Sequence, residues 1–327
     1  MKKKPFMFVD YSKPGRGVKK GKTPPFTFGG FFPLLKRKIW GLFKTNLLWI
    51  FMNLPLLVGF YALSGKHHFT ASGPINILYP TVAGIETISG TTPSLAPLIG
   101  ALGLEQVISY PGPVAKVLYA ITALAILTFG PANTGMAYIL RGYTKEEYVD
   151  MPRDFFTTIK KNLWQSILLG VIDLAIIVMM LFALTFYSAN SADFVFSVFF
   201  FVSIILSVIY VMARFYMYPL LVTFKLPLRK IFKNSFIFAI LGFKRNIVAL
   251  IFAGALTLIN FLLLITPLTM AVGGILPFIM TVALISFITT YAAWPNIKKI
   301  MIDPYYTSDD SPENNTPEDE PVFVDRG

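Results

Sequence analysis

Two ionisable side chains lie inside long apolar segments, where such a group could move a proton or a solute. Asp173 is ten residues into the run that begins at Leu163, and Arg214 lies about one helical turn from the end of the next run. A charge at the centre of a spanning helix costs about 2.5 to 3.5 kcal/mol on insertion scales, so it is paired, protonated or facing a cavity. Because only a short turn separates the two runs, Arg214 is the candidate partner. Asp173 is predicted to serve either in a structural pair or in a proton or solute pathway.

A second candidate site is the segment Gly130-Pro131-Ala132-Asn133-Thr134-Gly135, which interrupts another apolar run. Glycine and proline in a spanning helix free backbone groups, and broken helices of this kind build substrate sites where they line a cavity. Small residues also let two helices pack closely, which is the competing interpretation. Asn53, Pro55 and Asn260 lie in other apolar runs and could face the same break.

Three basic signatures containing asparagine precede long apolar runs: Lys44-Thr45-Asn46-Leu47, Lys160-Lys161-Asn162-Leu163 and Lys244-Arg245-Asn246-Ile247. Cationic side chains collect on the cytoplasmic flank of spanning helices, so the signatures mark one side of a membrane. Each asparagine is predicted to lie at the turn into the bilayer, where its short side chain can bond exposed backbone groups. The signatures are either snorkelling lysines with a turn residue or parts of a partner-binding surface.

The elements that position these residues follow from the composition. The chain of 327 residues is 55% hydrophobic and only 14% charged. Several windows exceed the roughly 18 apolar residues that identify a spanning helix, and they lack the alternation of barrel strands. The predicted fold class is all-α, a polytopic membrane protein with six transmembrane helices. These are placed at about residues 47–63, 117–140, 163–187, 194–218, 247–265 and 271–294.

The distribution of Lys and Arg predicts the orientation. If the amino terminus is cytoplasmic, 27 of the 29 basic residues lie on the inside, and only Lys66 and Lys116 face outward. Because cytoplasmic loops carry an excess of Lys and Arg, we expect a multi-pass protein of the cell membrane with both termini inside.

Each of the three inside segments begins near a proline, at Pro33, Pro152 and Pro227, and ends in a basic signature. Proline is well placed in the first turn of a helix. In the second segment, Phe155 and Ile159 fall on one stripe, which is typical of an interfacial amphipathic helix. We expect all three segments to lie along the cytoplasmic leaflet.

The predicted organisation has three parts: a basic flexible cytoplasmic arm at 1–30, a six-helix membrane domain at 31–302 and an acidic disordered tail at 303–327. Within the membrane domain, residues 64–116 form a Gly- and Pro-rich extracytoplasmic insertion. Its apolar windows, 75–88 and 95–108, are too short to span and are predicted to be interfacial or re-entrant helices. The adjacent His67 and His68 are interpreted as solvated loop residues rather than metal ligands, because carboxylates and cysteines are not nearby.

Several classes of protein are excluded or unsupported by the sequence. The chain has no cysteine, which removes thiolate sites and disulfides. It contains no phosphate-binding GxxxxGK[ST], no HExxH and no GxSxG, so we expect no enzyme activity and no cofactor. The basic arm is better explained by an anionic inner leaflet than by nucleic acid, since each basic residue near such a surface contributes about 1 kcal/mol.

Several stretches carry a resemblance to a known family: Asn46-Leu47-Leu48-Trp49 with Pro55, Gly130-Pro131-Ala132 through Tyr138-Ile139-Leu140-Arg141, Asp154-Phe155-Phe156 leading to Lys161-Asn162, and residues 215–224 running into Lys233-Asn234. Their order and spacing resemble the YesL family of Gram-positive integral membrane proteins, a domain of unknown function. The resemblance implies no catalytic residue. Family members often occur beside carbohydrate ABC-transporter components, which implies an accessory role in sugar uptake or its regulation.

We therefore expect a non-enzymatic accessory membrane protein whose inner-leaflet helices dock a partner, for which ABC-transporter permease subunits are the candidates. The alternative is a small-solute transporter or channel with a path near Asp173 and the Gly130–Gly135 segment.

Overall fold

The computed structural model describes residues 26–74 and 105–305. The described chain begins with helices α1 (Phe28–Met52) and α2 (Leu54–Ala62), followed by strands β1 (His68–Pro74) and β2 (Glu105–Pro111). Nine further α-helices are described: α3 (Pro113–Ala123), α4 (Ala125–Thr144), α5 (Met151–Lys161), α6 (Leu163–Ala189), α7 (Phe194–Thr223), α8 (Leu228–Leu241), α9 (Phe243–Ile265), α10 (Met270–Leu276) and α11 (Val282–Ile297). A π-helical turn (Pro277–Thr281) lies between α10 and α11, and short π- and 3-10-helical turns (Lys298–Ile302, Asp303–Tyr305) follow α11.

Five helical segments of the described chain are long and apolar enough to cross a membrane: Pro113–Thr144, Leu163–Ala189, Phe194–Thr223, Phe243–Ile265 and Met270–Ile302. The pair α1 and α2, bent by 63°, would make a sixth if it is one span. In the most apolar stretch of each of these five segments, only 6% to 22% of the residues are buried. Most of their apolar side chains are therefore at least partly exposed on the surface of the protein. An apolar surface of this kind is expected where lipid surrounds the protein. The prediction of a helical polytopic protein is therefore confirmed.

Helix breaks fall at other places than the sequence suggests. The first predicted span, 47–63, is interrupted at Asn53, where α1 ends and α2 begins. The predicted break at Gly130–Gly135 is wrong, because α4 is continuous and contains Pro131. The break in this span lies instead at Leu124, between α3 and α4. Within α4, Asn133 and Thr134 donate to the carbonyls of the residues four positions earlier, so side chains bond to backbone along the proline-containing turn.

The three segments that carry basic signatures differ in their local structure. Helix α5 begins at Met151 with Pro152 in its first turn, and α8 begins directly after Pro227, both as predicted. The first segment differs, because Pro33 lies within α1 and the helix continues past the signature at residues 44–47. An unbroken helix leaves no turn at Asn46.

Two paired β-strands lie between α2 and α3 in the chain. Strands β1 and β2 pair antiparallel, from His68 opposite Pro111 to Pro74 opposite Glu105. Residues 105–108, which fall in a predicted interfacial helix, are therefore strand, while residues 75–104 lie outside the described part of the chain. His67 and His68 are partly exposed, and His68 is the first residue of β1 rather than part of a loop. The His67 ring bonds to the Tyr61 hydroxyl at 3.1 Å, and the His68 ring bonds to the Tyr119 hydroxyl at 2.9 Å.

The chain divides into two compact units. The first comprises Met1–Asn46, Ala137–Asp154 and Val208–Gly327, and the second comprises Leu47–Met136 and Phe155–Ser207. The predicted arm up to residue 25 and the tail from residue 306 lie outside the described residues, so their character stays a prediction.

The core of the first unit contains large side chains from several helices. Residues 215–221 of α7 are all buried, and Tyr216, Met217 and Leu220 are fully so. Phe287 and Trp294 of α11 are buried in the same unit. An unbroken buried run of seven residues means that this part of α7 is enclosed on all sides. A helix that is hydrophobic all round is expected in such a position.

The second unit depends on close helix contact. A Cβ atom added at Gly170 of α6 would lie 2.5 Å from the backbone nitrogen of Gly130 in α4, and one added at Gly130 would lie 2.8 Å from Gly170 Cα. No side chain fits between the two backbones. The pair therefore corresponds to the close-packing interpretation of the Gly130 segment, in which small residues let helices approach.

Candidate functional site

Asn46 lies inside α1, and its carboxamide bonds backbone groups of the π-helical turn. Its Nδ2 donates to the carbonyl oxygens of Pro277 and Phe278, each at 2.8 Å, and its Oδ1 accepts the N–H of Ala283 at 2.9 Å. The residue is completely buried. A π-helical turn departs from the regular hydrogen-bond ladder, and Pro277 has no N–H to donate. Asn46 thus satisfies three backbone groups where the last spanning helix is irregular.

Asn246, in the second turn of α9, occupies the centre of a buried network in the same unit. Its Oδ1 accepts the hydroxyl of Tyr216 at 2.7 Å, and its Nδ2 donates to the carbonyls of Ala239 at 3.0 Å and Phe238 at 3.3 Å. Asn296 of α11 donates to the Tyr216 hydroxyl at 2.9 Å. Both carbonyls belong to the last turn of α8, where the helical hydrogen-bond ladder ends, and the Phe238 carbonyl also accepts the N–H of Gly242 at 2.9 Å.

Asn162 is the one signature asparagine that lies at a helix junction, between α5 and α6. Its Nδ2 donates to the carbonyl of Thr158 at 3.0 Å, in the last turn of α5. All three asparagines therefore donate to backbone carbonyls, which is the bonding that the sequence predicts. Their position at a turn is wrong for Asn46, and Asn246 lies four residues beyond the α8–α9 break at Gly242.

The lysines of the signatures stay at the surface. Lys44, Lys161 and Lys244 are all exposed. Two tryptophans near the signatures are also exposed, Trp40 to 72% and Trp164 to 77%. Tryptophan is enriched where a membrane meets water, because its ring is apolar and its N–H is polar. These side chains are typical of an interfacial level.

Helix α5 has one buried and one exposed face. Phe155 is completely buried, and a Cβ atom at Gly135 would lie 2.7 Å from its ring. At the start of the helix, the Asp154 carboxylate accepts the N–H of Asp150 at 3.0 Å. An acid in the first turn also interacts favourably with the positive end of the helix dipole. The exposed side carries Lys160 and Lys161.

The polar residues near Pro131 bond to a neighbouring helix in the second unit. Asn133 is buried, and its Oδ1 accepts the indole N–H of Trp49 at 3.0 Å. One turn along from Trp49, Asn53 is also buried, and its Nδ2 donates to the Trp49 carbonyl at 3.0 Å. The Oδ1 of Asn53 has no hydrogen-bond partner within the described residues. Asn260, predicted to face the same segment, belongs to the first unit and donates to the carbonyl of Gly273 at 3.1 Å.

Asp173 and Arg214 lie in different units. Asp173 is completely buried in α6 of the second unit. Arg214 is half-buried in α7 of the first unit, with its guanidinium carbon 5.9 Å from the centre of the Tyr218 ring. Their pairing stays a prediction.

Arg141 fixes the end of α7 in the first unit. Its Nη1 donates to the carbonyl of Val222 and to the hydroxyl oxygen of Thr223, both at 3.1 Å, and its guanidinium lies 4.8 Å from the Tyr138 ring centre. The last carbonyls of a helix have no helical partners, and a cation there complements the dipole. Arg141 is therefore placed as a capping residue.

Sequence reasoning did not predict the partners of these residues. Trp49 and Tyr216 lie within predicted spans, and Asn296 lies two residues beyond the last one. The available signal was the single polar group that each of these side chains carries in an apolar surrounding. Among residues 26–74 and 105–305, no group of three or more His, Cys, Asp or Glu could hold a metal ion.

The apolar helices define the class of the molecule, a multi-pass α-helical membrane protein. Residues 42–184 match the model of a family described as a protein of unknown function, DUF624. The match includes the first two basic signatures, the Gly130–Gly135 segment and Asp173, and it ends before Arg214 and the third signature. No curated protein matches the chain, and no solved structure matches it either.

Proposed function

We propose that the protein is a non-enzymatic accessory component of the cell membrane that docks a transport partner on its cytoplasmic side. The proposed partner is the permease subunit of an ABC transporter for carbohydrates. The resemblance to the YesL family of Gram-positive proteins supports the proposal, because members of that family often occur beside carbohydrate ABC-transporter components. We propose further that α1 and α2 together form one of six spans and that both termini are cytoplasmic.

The single observation that carries the docking proposal is the exposed face of α5. Phe156, Lys160 and Lys161 are all exposed, and we call them the docking face. The opposite side of the helix is anchored by the buried Phe155 and Ile159. Phe156 and Lys160 fall on one stripe, since residues four apart are neighbours on a helix. A helix that is anchored by buried side chains on one side and carries lysines on the other is suited to binding an acidic surface of a partner.

The docking proposal is tested by crosslinking in intact cells, followed by affinity purification of the full chain. Wild-type protein is expected to recover an ABC permease, and the charge reversal Lys160→Glu with Lys161→Glu is expected to lose it. The control is Arg229→Glu with Lys230→Glu, an exposed basic pair on α8 outside the docking face. Equal recovery by both variants would contradict the role of the docking face. Solute flux by the purified protein alone in proteoliposomes would contradict the accessory function.

Solute transport is the second candidate function, and the buried Asp173 favours it. An ionisable residue within a span marks a functional site by default, because it is expensive to place there. Asp173→Asn keeps the shape and removes the charge, whereas Asp173→Leu removes both. If both variants express well and retain all measurable flux, the pathway idea fails.

A further inference from the structure

A cleft of about 620 Å³ opens in the first unit between the beginning of α1, α9 and α11. Its volume is that of a ligand pocket, since such pockets run from about 300 to 1,000 Å³. Most of its lining is aromatic or aliphatic, and the charged exceptions are Lys244 and Arg245. The basic pair of the third signature therefore lines an otherwise apolar cleft.

The lining residues of α9 form one stripe with a charged beginning. Arg245 is followed by Val248, Phe252 and Leu256, spaced so that they share a helix face. From residue 245 to 256 the helix rises about 16 Å at 1.5 Å per residue. One leaflet of the bilayer has about the same depth, because the hydrocarbon core is about 30 Å thick. The stripe therefore has a charged residue at one end and is about as long as one leaflet is deep.

Helix α11 forms the facing wall of the cleft, and like the α9 stripe it is polar at one end and apolar at the other. At the charged end, Arg245 donates to the carbonyl of Phe26 at 2.6 Å, and Tyr291 donates to the carbonyl of Thr27 at 2.9 Å. Towards the other end, the lining of α11 consists of Ile288 and Leu284. Because a guanidinium has five N–H donors, Arg245 keeps donors beyond the bond to Phe26.

The side wall from α1 leaves the cleft accessible to an apolar phase. Phe28 and Phe32 line it and are more than half exposed. The Phe28 ring packs against Phe252, with 5.5 Å between the ring centres. A ligand that enters past these rings must itself be apolar over most of its length.

We propose that this cleft binds a membrane phospholipid with an anionic headgroup. The acyl chain lies along the stripe from Val248 to Leu256, and Lys244 and Arg245 bind the headgroup phosphate. Charge complementarity selects this occupant. Residues 1–25 carry eight basic residues and one acid, which repel the basic end. Residues 306–327 carry seven acids and few large apolar side chains, so they do not match the apolar walls.

Lipid retention by the purified full-length protein tests the proposal. The protein is incubated in detergent micelles containing equal phosphatidylglycerol and phosphatidylcholine, and the retained lipids are quantified by mass spectrometry. A basic residue near an anionic surface is worth about fivefold in affinity, so Lys244→Gln with Arg245→Gln should lose about 25-fold in preference for phosphatidylglycerol. The control Arg229→Gln with Lys230→Gln removes the same charge outside the cleft and should keep the preference.

Two further variants keep the test decisive if the first pair misfolds. Lys244→Arg with Arg245→Lys keeps both charges and should retain the preference. Leu256→Trp fills the apolar end and should lower retention of both lipids. An unchanged preference in the glutamine variant, or equal losses in the control, would overturn the proposal. Displacement of the lipid by excess inorganic phosphate, with no effect of Leu256→Trp, would also overturn it, because the site would then bind phosphate alone.

Discussion

Replacing Asn46 with alanine is expected to destabilise the protein more than the loss of any single surface bond could. The substitution removes three hydrogen bonds, from Nδ2 to the carbonyls of Pro277 and Phe278 and from the N–H of Ala283 to Oδ1. Because Asn46 is completely buried, water cannot replace the amide without entering the core.

The expected magnitude follows from these three bonds. Hydrogen bonds contribute about 0.5 to 1.5 kcal/mol each in proteins, and the mean in one membrane protein is about 0.6 kcal/mol. Loss of all three should therefore lower the free energy of unfolding by about 2 to 4 kcal/mol. Asn46→Asp keeps the shape but has no amide N–H to donate to the two carbonyls, so it should be at least as damaging.

Denaturation of the full-length protein in detergent, followed by tryptophan fluorescence, measures this effect. Asn162→Ala is the matched control, since the half-buried side chain of this asparagine makes a single hydrogen bond within the described residues, to the Thr158 carbonyl. Its loss should cost about 0.5 to 1 kcal/mol. If Asn46→Ala shifts the unfolding midpoint no more than Asn162→Ala does, the reasoning about the π-helical turn is refuted.

Two further predictions can be checked on the same preparation, and a third is checked in intact cells. Gly170→Leu should lower the free energy of unfolding by more than about 3 kcal/mol, because the new side chain would meet the backbone of another helix. The control is Gly254→Leu, since no atom lies within 4 Å of a Cβ added there. This control should be neutral, or slightly stabilising because leucine has the higher helix propensity. Equal denaturation midpoints would contradict the close contact. Tyr216→Phe should cost about 1 to 3 kcal/mol, since it leaves the buried Oδ1 of Asn246 and the half-buried Nδ2 of Asn296 without their hydroxyl partner. A wild-type midpoint would show that the network is not needed. The chain has no native cysteine, so a single introduced cysteine reports the side of the membrane on which it lies. In cells, an impermeant maleimide should label Lys66→Cys and not Lys160→Cys. The reverse pattern would disprove the proposed orientation.

The predicted site residues differ in how far the sequence could place them. The bonding of the signature asparagines to backbone carbonyls follows from local chemistry, because a short amide readily forms hydrogen bonds with nearby backbone groups. The carbonyls themselves could not be predicted, since those of Asn46 lie more than 230 residues away in the chain. Pro131 was misleading for a related reason, as neighbouring helices and side chains can compensate a proline that would break an isolated helix.

Burial along α7 shows the same limit. Residues 194–207 and 210–221 are both strongly apolar, yet none of the first set is buried and nearly all of the second is. Lipid and protein core are similar environments for an apolar side chain, so hydropathy does not distinguish them.

The sequence by itself determined that this is a helical membrane protein, and it identified most of the spans. The reason is that hydrocarbon requires long apolar segments with internally bonded backbones, a requirement that each segment meets alone. Only the tertiary structure decided that Asn46 completes the π-helical turn, that Asn246 joins Tyr216 and Asn296, and that Arg245 begins an apolar cleft. Those arrangements depend on contacts between distant helices, and such contacts leave no periodic pattern within any one of them.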